Sequence, residues 1–469
     1  MHWAEMFIHD LPYPILALEH SALVFGGLLI YLLLTRIGQQ RRPPASAIAW
    51  VMGIGLFPYV GIPLFLLFGM RKFPRPVRKP RLQKANGAAT EAPQWATGLL
   101  AAMDMPSACG NREIVFHEDG AASKAALLAL IEGAAQRIDL CSFILAPDEV
   151  GQELVAALGR AAARGVKVRV LLDTVGGLQK SRRHIPQLRA AGITVRWFMP
   201  LLHNPLKGRS NLRNHRKMVI ADGVRLWSGG RNLAVEYFVD RPGCPAWVDL
   251  SFEVRGPLAG QALALFERDW KMPGGMGQNR IVVEEAPPPA HNGRAQLVPS
   301  GPDLADDTLY DLLLTSAYQA KRRIVAVTPY FVPDEALLLA WGMACRRGVD
   351  FTLLLPQRSN HRLADLAREQ ALRELAHAGA RVMLYPGMIH AKAVIVDEEL
   401  ALCGSANLDG RSLFLNFELM TAFYGSAEID WLMTWVARHT ARAKRHRPRA
   451  PSWRRDLVEG LARTVAFQL

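Results

Sequence analysis

The sequence predicts an α/β protein: two duplicated α/β domains carried behind an N-terminal two-helix membrane hairpin. Three observations predict it. Residues 43–70 hold 28 consecutive positions without a charge. Downstream, helical and strand patterns alternate in the order βαβ, the signature of a largely parallel sheet. A polar motif built on His215 then recurs at His390, with five positions held at one offset of 175 residues. The length, 469 residues, exceeds one ordinary domain of ~150. With 50% hydrophobic and 21% charged residues, global disorder is excluded. Lys and Arg number 56 against 42 Asp and Glu, and the net charge of +14 favours anionic partners: lipid, nucleic acid or phosphate substrates. The five cysteines, Cys109, Cys141, Cys244, Cys345 and Cys403, are scattered and form no Cys-x-x-Cys pair, which argues against a disulfide scaffold or a zinc ribbon.

The N-terminus comes first. The run from Ala45 to Met70 exceeds the ~20 residues that cross a bilayer, and membrane helices tolerate its Pro58 and Pro63. An earlier run, 21–35, reaches spanning length when 15–20 joins it. A signal peptide fits poorly there, because no Lys or Arg precedes the run and no small-residue cleavage site follows it. The expectation is a hairpin over residues 1–70 with spans at about 15–35 and 46–69. Arg36, Arg41 and Arg42 lie between the spans. Arg71, Lys72, Arg75, Arg78, Lys79, Arg81 and Lys84 follow the second, and the first 20 residues carry no Lys or Arg. Seven against three places the long C-terminal region in the cytoplasm. Residues 71–110, basic and then rich in Ala, Gly and Pro, read as linker.

The body follows. Residues 123–137 are Ala/Leu-rich and helical, 138–145 a strand, 153–164 helical and 166–172 a strand. Arg164-Gly-Val-Lys-Val-Arg-Val-Leu-Leu matches Arg347-Gly-Val-Asp-Phe-Thr-Leu-Leu-Leu at an offset of 183, and the offset later falls to 175. The first copy therefore carries about 12 extra residues, in the loop 199–214. The two copies occupy 111–285 and 290–437, and a basic tail runs over 438–469.

Each copy holds His-x-Lys-x-x-x-x-Asp and then a small-residue turn ending in Asn. The first reads His215, Lys217, Asp222, then Gly229-Gly230-Arg-Asn232. The second reads His390, Lys392, Asp397, then Gly404-Ser405-Ala-Asn407. His and Lys at i and i+2 of a strand share one face, so a ring nitrogen and an ammonium are aimed at one point. Asn232 and Asn407 add amide donors, and the turns at Gly230 and Ser405 bring backbone close to a phosphate. Two such half-sites facing each other supply two imidazoles and four donors. That set supports covalent catalysis without a metal or other cofactor: one His attacks phosphorus and the other handles the alcohol proton. No Cys/His/carboxylate cluster has metal-ligand spacing. A lone strand histidine is usually a satisfied core residue; two in register are not. For Asp222 and Asp397, at i+7 on the other face of a straight strand, a turn-forming or salt-bridging role competes with direct catalysis.

These residues resemble the phospholipase D superfamily, whose signature is the doubled His-Lys-Asp motif, and within it the bacterial cardiolipin synthases. Further stretches carry the likeness: Arg41-Arg-Pro, Pro58-Tyr-Val-Gly61, Asn214-His-Arg-Lys, Phe266-Glu-Arg-Asp-Trp270, Thr328-Pro-Tyr-Phe-Val-Pro-Asp334 and Gly404-Ser-Ala-Asn-Leu-Asp-Gly-Arg-Ser412 with Asn416-Phe-Glu418. Where Asn360 stands, the family more usually has Asp. The resemblance implies two sandwiched lobes with the site at their interface, in a multi-pass protein of the bacterial inner membrane. It implies transfer of a phosphatidyl group between two phosphatidylglycerol molecules, with release of glycerol. It also implies a carboxylate behind each active histidine, with Glu418 in the matching place for His390 and Asp249 for His215, and His215 as nucleophile. Sequence symmetry allows the reverse roles.

A membrane phospholipase D, with water as acceptor, would use the same residues. A nucleic-acid enzyme is opposed by the membrane hairpin and by the lack of a stacking array among the 8% aromatic residues. The tail 438–455 holds eight basic residues before a weakly amphipathic stretch, which reads either as a membrane-surface helix or as one docked on its own domain.

Overall fold

A computed structural model describes residues 13–37, 44–69, 92–199, 211–271, 293–447 and 449–466. They fall into an N-terminal unit and a larger C-terminal body.

In the N-terminal unit, helix α1 spans Tyr13–Ile37, and its segment Ala17–Thr35 is long and apolar enough to cross a membrane. Leu18, Phe25, Leu29, Leu32 and Leu33 point outward from it. The second expected span is not one helix. It divides into α2 (Pro44–Leu56) and α3 (Pro58–Phe68) at Phe57, whose φ of −135° and ψ of 62° leave the helical region. Pro58 then opens α3, where its missing N–H costs nothing. The two helices fold back on each other. In a straight helix Gly53 and Gly61 would stand about 12 Å apart, yet a Cβ on Gly61 would lie 2.5 Å from the Gly53 carbonyl oxygen. Only glycine permits that contact. The hairpin packs along α1 at another glycine: a Cβ on Gly27 would meet Ile62 at 2.5 Å and Ile54 at 2.9 Å. Ring pairs His20–Tyr59 (6.1 Å), Tyr31–Phe65 (5.1 Å) and Trp50–Phe65 (5.4 Å) fix the directions. Helix α3 runs along α1 in the same sense, and α2 runs against both.

The C-terminal body contains the duplication. In the first lobe the parallel strands Arg137–Ser142, Lys167–Asp173 and Thr194–Phe198 are continued by the antiparallel strands Met218–Ala221, Arg225–Gly229, Ser251–Arg255 and Glu113–His117. The second lobe repeats the order with Arg323–Val327, Asp350–Pro356, Arg381–Tyr385, Ala393–Val396, Leu400–Gly404, Asn416–Phe423 and Gly293–Ser300. The expected helices begin earlier than their apolar pattern because aspartates cap them. Asp119 accepts from the Ala122 amide at 2.7 Å and starts the helix Gly120–Glu132. Asp148 accepts from Gly151 at 3.0 Å and starts Glu149–Ala163.

Part of the expected linker is structured and belongs to the second lobe. The helix Gln94–Ala102 buries Ala96 and Leu100 against Leu309, Leu312 and Leu313. The strand Cys109–Asn111 then pairs with Gly293–Ala295. The composition concealed a helical period, since Ala96 and Leu100 share one face. In return, Arg213–Asn214 of the first copy pairs with Asn416–Phe417 of the second. The chain thus crosses between lobes beside each histidine.

The C-terminal helix, Trp453–Ala466, is docked. Its Ala462 packs with Ala367, and its Glu459 is ion-paired to Arg373 at 2.7 Å.

Candidate active site

His215 and Lys217 lie on the extended lead into the strand Met218–Ala221, whose residues are all buried, so the core fixes the approach of both side chains. His390 and Lys392 precede Ala393–Val396 in the same way. The backbone of each histidine is held by the other lobe. The His215 amide donates to the Phe417 carbonyl at 2.9 Å, and the His390 amide donates to Val248 at 2.6 Å. Each accepting carbonyl belongs to the residue just before a buried carboxylate.

Those carboxylates pair opposite to the expectation. Nδ1 of His215 lies 2.9 and 3.0 Å from the two oxygens of Glu418, and Nδ1 of His390 lies 2.7 Å from Asp249. Each histidine is backed by a carboxylate of the other copy, not of its own. The family resemblance implied partners within a copy; the backbone exchange between lobes is what brings the distant ones into reach. Ser405 and Asn416 also donate to Glu418, at 2.5 and 3.2 Å.

The electrostatics assign the ring protons. Burial opposes ionisation of Asp249, but the charge of Lys392 and the hydrogen bond from His390 outweigh it and hold the carboxyl down to about 2. Glu418 is likewise lowered against burial by His215 and Lys217. Both histidines are pushed below the ordinary imidazole value, chiefly by burial, and in His390 by the charge of Lys392 as well. An ionised carboxylate only accepts, so Nδ1 carries the proton in each neutral ring. In His215, Nε2 is left with its lone pair, the state of a nucleophile or base; in His390, Nε2 faces the Lys392 ammonium, 3.1 Å away, which can donate to it. Both ammonium groups fold back onto the carbonyl of their own histidine, Lys217 at 2.8 Å. Burial lowers Lys217 to about 7 and Lys392 to about 8.

Asn232 donates to the Tyr237 hydroxyl at 2.8 Å, while its Oδ1 and that of Asn407 are buried without a partner among the described residues. A half-turn of the Asn232 amide keeps the tyrosine bond, with the phenol donating, and turns the NH₂ to the unpartnered side as a donor.

Gly230 and Ser405 do not act as expected. Their amides donate to Leu250 and Leu419, both at 2.9 Å, and the Ser405 hydroxyl serves Glu418. A Cβ on Gly230 would stand 2.3 Å from Asp249, so this glycine makes room for the carboxylate rather than for phosphate.

Asp222 and Asp397 are not at the reacting centre either. A four-residue strand, about 13 Å long, separates each from its lysine. Both sit at hairpin ends with positive φ, 54° and 48°. Asp222 accepts the amides of Ala135, Gln136 and Arg137 at 2.8–2.9 Å, and Asp397 those of Lys321, Arg322 and Arg323 at 2.8 Å. They tie the catalytic strand to the start of its parallel neighbour. Asp222→Ala and Asp397→Ala are therefore expected to cost about 2–3 kcal/mol in unfolding while leaving turnover per folded molecule unchanged. Thermal unfolding beside active-site titration checks this, and loss of turnover at unchanged stability would contradict it.

Sequence reasoning missed several residues. Arg216, inside the motif, is fully buried, ion-paired with Asp269 at 2.6 Å and hydrogen-bonded to the Glu418 and Ser300 carbonyls at 3.1 and 3.2 Å. Removing either member of that ion pair strands a buried charge, at about 3–5 kcal/mol. Tyr237 (5.0 Å) and Trp247 (5.6 Å) flank the His390 ring, and Phe143 (5.2 Å) flanks His215. Tyr330 stands 6.4 Å from His390 and donates to Asn360 at 2.5 Å. Arg216, Asp269 and Tyr330 lie inside stretches the sequence analysis singles out, Asn214–Lys217, Phe266–Trp270 and Thr328–Asp334, but their partners are not visible there.

Two lobes of one topology, each contributing a His-x-Lys and each completing the other's histidine, define a phospholipase D-type fold. The family description "Cardiolipin synthase, PLD-like domain" matches residues 127–270 and 313–440, and "Phospholipase_D-nuclease N-terminal" matches 25–69. The chain is 32% identical to a cardiolipin synthase of Geobacillus thermodenitrificans, over 83% of this chain and 81% of that one. It is 33% identical to a cardiolipin synthase A of Pseudomonas aeruginosa, over 81% of each. The solved phosphatidylserine synthase of Haemophilus influenzae shares the fold, with a TM-score of 0.61 at 15% identity over 79% of this chain and 98% of that one. The chain belongs to the cardiolipin synthase family of the phospholipase D superfamily.

Proposed function

We propose that this protein transfers a phosphatidyl group from one phosphatidylglycerol to another, making cardiolipin and glycerol at a membrane. The observation that carries the chemistry is the reciprocal pairing of His215 with Glu418 and His390 with Asp249. The name shared by relatives over most of the chain supports transfer over hydrolysis.

In this reading Nε2 of His215, the more open ring at 13% exposure against 5% for His390, attacks phosphorus. The bound phosphodiester anion raises the affinity of His390 for a proton. His390 passes that proton to the glycerol oxygen as the P–O bond breaks and the N–P bond forms. Lys217, Lys392, Asn232 and Asn407 stabilise the phosphoryl oxygens. A hydroxyl of the second phosphatidylglycerol then gives its proton to His390 and attacks phosphorus. The N–P bond breaks and His215 is restored. The test is to supply purified enzyme with phosphatidylglycerol and measure glycerol against phosphatidic acid. Glycerol in step with cardiolipin is expected; phosphatidic acid as the main product overturns the reading.

Free-enzyme pH dependence follows from the lysines. Their depressed values mean that charge is lost as pH rises through about 7–8, and with it the attraction for phosphate. The expected kcat/KM falls on that alkaline side. Lys217→Arg, which cannot lose its proton, moves the fall upward; an unmoved limb assigns it elsewhere.

The membrane arrangement fits α1 as a span, with α2–α3 entering and leaving by the face at which α1 ends. Their 13 and 11 residues reach about 16–20 Å, short of a ~30 Å core. All the basic residues between 36 and 84 then flank one side, the cytoplasmic one with the catalytic body. Impermeant thiol labelling of a cysteine at position 39 from outside intact cells is expected to fail. Labelling there restores the two-span hairpin.

A further inference from the structure

The C-terminal helix is docked the wrong way round for a soluble protein. Its buried side chains include Glu459 at 3% exposure, which pairs with Arg373 at 2.7 Å and Arg455 at 2.8 Å, and Ala462, which meets Ala367. Its large apolar side chains face solvent: Trp453 at 74%, Leu457 at 59% and Val458 at 49%. Positions 453 and 457 lie one turn apart on the face away from Ala462 and Glu459, and 458 lies on the flank between that face and Ala462. Charge accompanies them. The Arg454 guanidinium sits 5.3 Å over the Trp453 ring, Arg463 is exposed, and Arg447 and Arg449 precede the helix. Beside the apolar face, a groove of about 910 Å³ is lined by Trp453, Leu457 and Arg463, with Arg373 held between Glu459 and the groove's acidic side chain, Asp456.

We propose that this face is a seat for anionic phospholipid at the bilayer surface, with Trp453, Leu457 and Val458 entering the interface and the arginines meeting lipid phosphates. Trp over Arg is the pairing suited to headgroup depth, where one end is apolar and the other wet. Interfacial helices hold a membrane by apolar area combined with attraction to anionic lipid. A protein partner fits less well. Three side chains on one short helix fall short of the ~800 Å² per partner that a stable interface buries. The docked face is secured by ion pairs and a small apolar contact, so the helix can present its apolar face without leaving the lobe. The seat does not depend on which phospholipid reaction the active site performs.

The helix also connects to the catalytic lobe. Ala462 and Ala367 pack with Val332 and Leu363, and Leu363 lies two residues beyond His361, whose ring is 5.1 Å from that of Tyr330 beside His390. Seating the helix on lipid would therefore bring the side of the lobe that carries Tyr330 towards the bilayer surface, where substrate phosphates lie.

The test uses the full chain with the exposed Cys244 replaced by serine and Leu457→Cys carrying a polarity-sensitive fluorophore. The four other native cysteines are buried or half-buried. The protein is reconstituted into vesicles of phosphatidylcholine, with or without phosphatidylglycerol, containing a spin-labelled quencher lipid. In anionic vesicles the probe is expected to shift to the blue and lose most of its fluorescence, and high salt is expected to restore part of it. Three outcomes overturn the proposal: a probe that stays water-exposed in anionic vesicles, equal quenching in neutral and anionic vesicles, or a blue shift without quenching, which marks a protein partner. Product formation, measured on the same vesicles, reports the active-site reading separately.

Discussion

His215→Ala is expected to lower cardiolipin formation by roughly four orders of magnitude or more, because in the proposed mechanism its Nε2 supplies the lone pair that attacks phosphorus. His390→Ala is expected to fall as far with natural lipid but to fail at a different step. In the proposed mechanism its imidazole moves a proton and makes no bond to phosphorus. A phosphatidyl donor whose leaving group is already acidic therefore needs no proton in the first half-reaction. With such a donor, His390→Ala should still form a covalent lipid–protein adduct that discharges slowly, while His215→Ala forms none. Mass spectrometry of the acid-sensitive adduct on residue 215 reads the difference. An adduct on residue 390 with His215 replaced would reverse the two roles, which the near-symmetry of the site makes a real alternative. Turnover that survives loss of either ring would end the mechanism.

The second large effect belongs to the carboxylates. Glu418→Gln and Asp249→Asn keep the shape of each pair but exchange an obligate acceptor for an amide that can also donate. The ring behind it loses its fixed tautomer and the support for its imidazolium. By analogy with a serine-protease triad, whose buried Asp→Asn change costs about 10⁴ in kcat, each substitution is expected to cost roughly 10³–10⁴. The pairing found here makes a sharper claim. Glu418→Gln should reproduce the defect of His215 variants, with loss of adduct, and Asp249→Asn that of His390 variants, with slowed discharge. The opposite correspondence would mean that the partners are those the family resemblance implied. A purely structural role would lower the folded fraction and leave turnover per folded molecule intact, so unfolding is measured alongside.

The duplication and the two half-site motifs were legible because the spacing His215 to Lys217 to Asn232 returns at His390, Lys392 and Asn407. Spacing along one chain is what a sequence displays. What it hid is exchange between copies. The strand pairing of Arg213–Asn214 with Asn416–Phe417, and the amide of His390 on Val248, are decided by contacts some 140–200 residues apart. Those contacts are what set Glu418 behind His215. The aspartates read ambiguously for a related reason: a carboxylate that gathers three backbone amides and one that meets substrate obey the same spacing. In the membrane unit, hydropathy reported apolar length correctly but is blind to direction. The reversal at Phe57 rests on Gly53 and Gly61, whose absent side chains carry no hydropathy signal. Likewise the alanines of the supposed linker looked featureless until Ala96 and Leu100 were seen against the second lobe.

The crossed histidine–carboxylate pairs also bear on how the chain comes alive. Glu418 is made 203 residues after the histidine it serves. A nascent or truncated molecule that holds only the first half has a ring free to tautomerise, with no counter-charge behind it, and so no armed nucleophile. Competence needs the strand Asn416–Phe423, which carries Glu418. A chain cut short of that strand is expected to form no covalent adduct at His215.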